Sequence, residues 1–133
     1  MKNKLRKIVV EDAIYYYRIT DNFQMETFPS FIRMKIFSEG YKTTPLLIEF
    51  PSKYDFYAGF PLKNGVNLPN LTTGTTECVN IHQPKYIQKF ILLGKKYGWT
   101  GNNVISTQNG MDYLSELGYD VSSILSDGSC KQL

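Results

Sequence analysis

A chain of 133 residues with 42% hydrophobic and 20% charged side chains has the length and balance of one domain, able to bury about two-thirds of its unfolded surface, which excludes disordered and fibrous classes. Its net charge of +3 is too small to imply nucleic acid or an anionic membrane by itself, because phosphate binding takes several clustered cations. Ten Tyr and eight Phe favour strands, where flat rings pack on a half-buried pleated surface, and suit contact surfaces.

At the start of the chain, Lys2, Lys4, Arg6 and Lys7 are followed by only Ile8-Val9-Val10 before Glu11-Asp12. That apolar run is too short for a signal peptide, and no segment approaches transmembrane length, so the expected location is the cytoplasm with no membrane partner. From residue 5 to 20 the pattern predicts a strand broken near Glu11-Asp12 and strongest at Ala13 to Thr20. Tyr15, Tyr17 and Ile19 alternate with Ile14, Tyr16 and Arg18, and the second set is expected to face outward. Asp21-Asn22 opens a connection through Pro29. The next strand, Phe31 to Phe37, puts Ile32, Met34 and Ile36 on a core face and Phe31, Arg33, Lys35 and Phe37 on a wet one. After a turn at Glu39-Gly40, Pro45 to Phe50 reads as a third strand with Glu49 outward. Short turns between successive strands favour antiparallel pairing.

After Pro51 a short strand is predicted at Tyr54 to Tyr57. Pro61 to Thr76, with Asn64-Gly65, Pro69, Gly74 and many Thr, reads as a long loop. Glu77 to Ile81 is expected to return to the sheet and to lead into the most legible element, a helix. Pro84 suits the first helical position, where its missing N–H would be unpaired anyway. Ile87, Phe90, Ile91 and Gly94 recur at helical spacing, while Lys85, Gln88, Lys89, Lys95 and Lys96 fall largely opposite. Gly98 stands where a left-handed cap is wanted, and Trp99 follows as an anchor. Gly101-Asn102 then turns the chain into a short strand at Val104 to Ser106. Asn109 caps a second helix, Gly110 to Leu117, which presents Met111, Leu114 and Leu117 and ends at Gly118. Residues 127–133 are expected to fray.

Candidate chemistry is sparse. Cys78 and Cys130 can form at most one bridge, and Cys130 lies in the polar tail, so structural disulfides are not expected. His82 is the single histidine; its place before Pro84 suits capping of the helix start or a surface position better than catalysis. Cys78, four residues earlier on a strand, would stand about 13 Å away by rise, too far for a dyad unless the chain bends. Asp112 and Glu116 are i, i+4 on a helix, a spacing that more often marks a solvated face than a metal site. Without a Gly-rich phosphate loop, a Cys-x-x-Cys pair or a nucleophile elbow, neither an enzyme nor a metal or cofactor is expected.

The outer face of the predicted sheet carries more. Tyr16 and Arg18 on one strand and Phe31, Arg33, Lys35 and Phe37 on the next interleave rings with cations, the arrangement single-stranded nucleic acid requires for stacking and phosphate pairing. An ordinary charged face, with the cations paired to Glu49, outweighs that reading.

The run Val79-Asn-Ile-His-Gln-Pro-Lys-Tyr-Ile-Gln-Lys-Phe-Ile, with Tyr97-Gly-Trp99 and then Asn109-Gly-Met-Asp-Tyr-Leu114, is similar to small bacterial proteins in which a strand, a Pro-started helix ending in Gly-Trp and a short closing helix recur. Some of these resemble immunity or accessory proteins of toxin systems. The resemblance covers roughly residues 76–117; it implies a binding protein and carries over no site residues.

The expectation is therefore a single α+β domain over 1–133. It holds a mostly antiparallel sheet of four to six strands, one main helix packed across a face and a short C-terminal helix at an end. Its expected role is non-catalytic binding of a protein partner or of itself. The candidate contacts are Tyr16, Arg18, Arg33 and Lys35 on the outer sheet face and the loop with Tyr57 and Asn64 to Thr76. Single-stranded nucleic acid binding on the same face is the alternative, and a small-molecule enzyme of unassigned class the second.

Overall fold

The computed structural model describes residues 5–22, 31–51 and 65–122. The predicted strand at Tyr54 to Tyr57, Cys130 and the tail 127–133 lie outside them. The fold is α+β. Strands β1 (Arg6–Val10), β2 (Ala13–Asn22), β3 (Phe31–Ser38) and β4 (Leu46–Pro51) pair antiparallel in chain order, and a two-residue strand β7 (Gln108–Asn109) adds parallel to β4. A separate hairpin is formed by β5 (Val66–Asn70) and β6 (Thr75–Val79). Two helices follow it, α1 (Pro84–Lys96) and α2 (Gly110–Glu116).

Period-two alternation sets the sheet's two faces. Tyr15, Tyr17 and Ile19 on β2, Ile32, Met34 and Ile36 on β3, and Leu46, Ile48 and Phe50 on β4 are all buried. Registers Ile36↔Leu46, Met34↔Ile48 and Ile32↔Phe50 stack them into one apolar layer. Helix α1 covers it with Tyr86, Ile87, Phe90, Ile91 and Leu93. The Phe90 ring meets Phe50 at 5.5 Å between centroids, and Trp99 meets Tyr15 at 5.9 Å. Phe90 and Ile91 are fully buried and Trp99 nearly so, as their positions at and just past the helix's apolar stripe predict.

Both helices end in the same device. In α1, Gly98 takes φ 108°, its N–H donates to the Lys95 carbonyl at 3.1 Å, and Trp99 N–H donates to Gly94 at 2.9 Å. In α2, Gly118 takes φ 103°, with Gly118 N–H to Ser115 and Tyr119 N–H to Leu114, both at 3.0 Å. This pair of bonds is a Schellman cap, which satisfies two orphan carbonyls and turns the next residue back onto the helix. Each cap delivers an aromatic side chain, Trp99 or Tyr119, into the core. The predicted cap at Asn109 is present: its side chain accepts from Met111 N–H at 2.8 Å. The N-cap of α1 is Gln83, whose side chain makes no capping bond, and His82, one residue earlier, is partly exposed.

Three predicted features are corrected. Residues 66–76 are a hairpin and not a loop. Its turn is closed by the Asn70 side chain, which accepts from Thr72 and Thr73 N–H at 2.9 and 3.1 Å, and by Gly74 at φ 77°. Pro69, the loop signal, is tolerated because the ladder is only two strands wide, and its carbonyl still accepts from Asp120 N–H at 2.9 Å. Consequently Thr75 to Val79 does not rejoin the main sheet, and Ile81 lies in the turn before α1. Finally, Val104 to Ser106 is not a strand; the edge pairing falls at Gln108–Asn109, and Val104 is 69% exposed.

Candidate functional site

Both helices pack on the inner face, through Gly94 against Leu46 and Gly110 against Phe50. A Cβ on Gly110 would lie 2.2 Å from the Phe50 ring, so only glycine lets α2 start this close to the sheet. Among the described residues, nothing comparable packs on the outer face. The registers arrange that face in rows across the strands. Lys7, Tyr16 and Phe37 form one row; Arg18, Lys35 and Leu47 the next; Thr20, Arg33, Glu49 and Asn109 the third.

Of the predicted contacts, Tyr16, Arg18, Arg33 and Lys35 lie here, whereas the described part of the predicted contact loop, residues 65–76, belongs to the separate β5–β6 hairpin and not to this face. Arg18, Arg33 and Lys35 line one shallow depression of about 340 Å³ together with Thr20, Pro45 and Leu47. Tyr16 stands one row away, its ring 5.8 Å from that of Phe37 and its hydroxyl donating to Glu39 at 3.4 Å. Tyr57 lies outside the described residues. Phe37 departs from expectation: it points to the outer side but is only 8% exposed, so its ring is not open to a stacked base. Leu47 was legible as an outward residue, two before Glu49, yet an apolar side chain there carried no signal for a surface site.

Charge is unevenly matched on this face. Arg33 donates to Glu49 through Nε at 3.0 Å and Nη2 at 2.5 Å, the ion pair expected for an ordinary sheet surface. Arg18 and Lys35 are direct cross-strand partners, and neither has an acidic partner among the described residues. Like charges directly opposite on a sheet repel.

A second cleft, about 230 Å³, lies where α1 ends beside α2, lined by Tyr97, Gln108, Asn109, Asp112, Tyr113 and Glu116. The Tyr97 and Tyr113 rings stack at 6.0 Å. Glu116 accepts from both Lys96 Nζ and Tyr97 Oη, and these two bonds hold its carboxyl below the usual carboxylate range. Tyr113 donates to Gln108 Oε1 at 3.1 Å, and burial drives its phenol well above the ordinary range. The Glu116 bonds tie α2 to the end of α1, and the Tyr113 bond ties α2 to β7. Asp112, exposed on α2, is four residues from Glu116, which is already committed to Lys96. Among the described residues no three His, Cys, Asp or Glu side chains converge, and Cys78 is a free exposed thiol. No described helix is long and apolar enough to cross a membrane. Comparison with family models, curated proteins and solved structures finds no match for the chain.

Proposed function

We propose that this chain is a non-catalytic binding module whose contact surface is the outer face of the five-stranded sheet, and that its ligand is another protein. The observation that supports this reading is the Arg18–Lys35 pair, two cations placed directly opposite each other without a carboxylate partner among the described residues, beside the apolar Leu47. A surface serving only solubility would gain stability from an acid at either position; retaining both cations fits a partner that supplies the missing negative charge. In the finer form suggested by the resemblance of residues 76–117, the module is an immunity or accessory protein and the partner a bacterial toxin.

Single-stranded nucleic acid is the second reading, favoured by the ring row beside the cation row. It ranks lower because Phe37 is buried and Tyr16 half-buried, whereas strand binding uses successive open rings. A photo-crosslinking residue at Thr20, inside the depression, tests the proposal against the same residue at Ser115 on α2. In a native lysate the Thr20 probe is expected to give a discrete heterologous protein adduct that the Ser115 probe does not. Equal adduct patterns from both positions would refute the assignment of the face, and a salt-sensitive shift of a labelled oligonucleotide, lost in Arg33→Glu with Lys35→Glu, would move it to nucleic acid.

A further inference from the structure

The outer face also specifies the chemistry of what it docks, an inference that rests on its being the contact surface. Its three rows follow one another at the spacing of alternate residues along β2 and β3, roughly 6.6 Å. Any extended chain laid along these strands presents its own alternate side chains at the same interval, which is how two sheets pack face to face. The rows differ in character. The first sets the Tyr16 ring against Phe37, with exposed Lys7 at its β1 end. The second is cationic, with Arg18 facing Lys35 and no acidic partner for either among the described residues. In the third, Arg33 and Glu49 already neutralise each other between Thr20 and Asn109.

We infer that the occupant is a β-strand of an acidic partner protein that carries, on one side and at alternate positions, an apolar residue, a carboxylate and an uncharged hydrogen-bonding residue. The carboxylate sits between Arg18 and Lys35, which removes their mutual repulsion and gives each a charge-assisted bond. The apolar residue covers Tyr16, and the amide or hydroxyl residue bonds across the Arg33–Glu49 pair without breaking it. A second acid at that third position would face an already neutralised pair and gain no charge partner there, so order along the strand matters and total negative charge does not suffice.

A disulfide-closed hairpin peptide is the probe, because closure removes much of the ordering cost of an isolated strand. One face of its labelled strand carries Leu, Glu and Gln at alternate positions; control peptides carry Leu, Lys and Gln, or Leu, Gln and Glu. Fluorescence anisotropy at low salt is expected to show binding of the first hairpin at least tenfold tighter than either control. That preference should disappear in Arg18→Gln with Lys35→Gln, whose circular dichroism and unfolding midpoint are measured in parallel to establish that it folds. Equal affinity for the two peptides that contain Glu would overturn the row order, and tighter binding of a labelled oligothymidine than of any hairpin would overturn the acidic-protein assignment. If no hairpin binds while the Thr20 probe still captures a partner protein, this inference fails and the binding-face reading stands; if the Thr20 adduct is also missing, both fail.

Discussion

Replacing Lys35 by Glu is expected to separate stability from the proposed binding at a single residue. The new carboxylate would face Arg18 across the strands and lie two residues from Arg33 on the same face, turning a repulsive pair into an attractive one. A gain of about 0.2–1 kcal/mol in unfolding free energy is expected, read as a urea midpoint that rises or holds. Two other residues are expected to contribute to the pH dependence of stability on the alkaline side. Burial raises the Tyr113 phenol above its ordinary value of 10.0, with the nearby Tyr97 and Glu116 adding to it. Tyr119 is raised by burial first and then by its 2.7 Å bond to Glu77. In both, the folded chain holds the proton more tightly than the unfolded chain, so their contribution is fully present below pH 10 and is lost as pH rises beyond it. Stability measured by urea unfolding should fall as pH rises above 10, and less steeply in Tyr113→Phe. The outward direction of Tyr16 and Arg18 on β2 and of Arg33 and Lys35 on β3 was legible because strand alternation leaves no choice; the Phe31 side chain lies outside the described residues. The burial of Phe37 was not legible, because it depends on neighbours that alternation does not locate.

At the scale of elements, the two Schellman caps differ in what surrounds their glycines. Around Gly98 an added Cβ meets nothing closer than Ile105 at 4.0 Å, so Gly98→Ala carries mainly the left-handed backbone cost, about 1–2 kcal/mol. At Gly118 the same Cβ would meet Thr72 Oγ1 at 2.6 Å and Asn70 Oδ1 at 2.7 Å, inside the turn of the β5–β6 hairpin. Gly118→Ala should therefore lower the unfolding free energy more than Gly98→Ala does; equal losses would show that α2 and the hairpin are not coupled through this contact. The first cap was legible from Gly98-Trp99 behind a strong apolar stripe. The hairpin that the second cap meets was not, since Pro69, Gly74 and the run of Thr are turn chemistry, and its few inward residues, Leu68 and Val79 among them, give too short a pattern to signal strands. The β1–β2 turn was legible as a break, but its geometry is unusual. Glu11 and Asp12 both adopt positive φ, 52° and 68°, in a two-residue hairpin where Asn-Gly is the ordinary choice, and Glu11 is tethered to Lys95 at 3.4 Å.

For the whole molecule, one side chain joins the layers. Phe90 is fully buried between Phe50 of the sheet and Tyr113 of α2, its ring 5.5 and 6.2 Å from theirs. Phe90→Ala should cost about 3–5 kcal/mol, a large share of the roughly 5–15 kcal/mol that holds a domain folded, and an unchanged thermal midpoint would contradict this packing. The α+β class and the helix-on-sheet arrangement could be read from periodicity because each element must bury one face. The parallel β4–β7 contact could not, because a two-residue strand has no period, and neither could the grouping of Arg18, Lys35 and Leu47, which depends on register. The same two-layer arrangement leaves the outer face uncovered by either helix, and on the proposed reading this face binds a protein through Arg18 and Lys35, which have no acidic partner among the described residues. The direct test is the affinity of the partner captured through Thr20 for the unaltered chain and for Lys35→Glu, measured beside their urea midpoints. Affinity should fall at least tenfold while the midpoint holds or rises; unchanged affinity in a folded Lys35→Glu chain would contradict the claim.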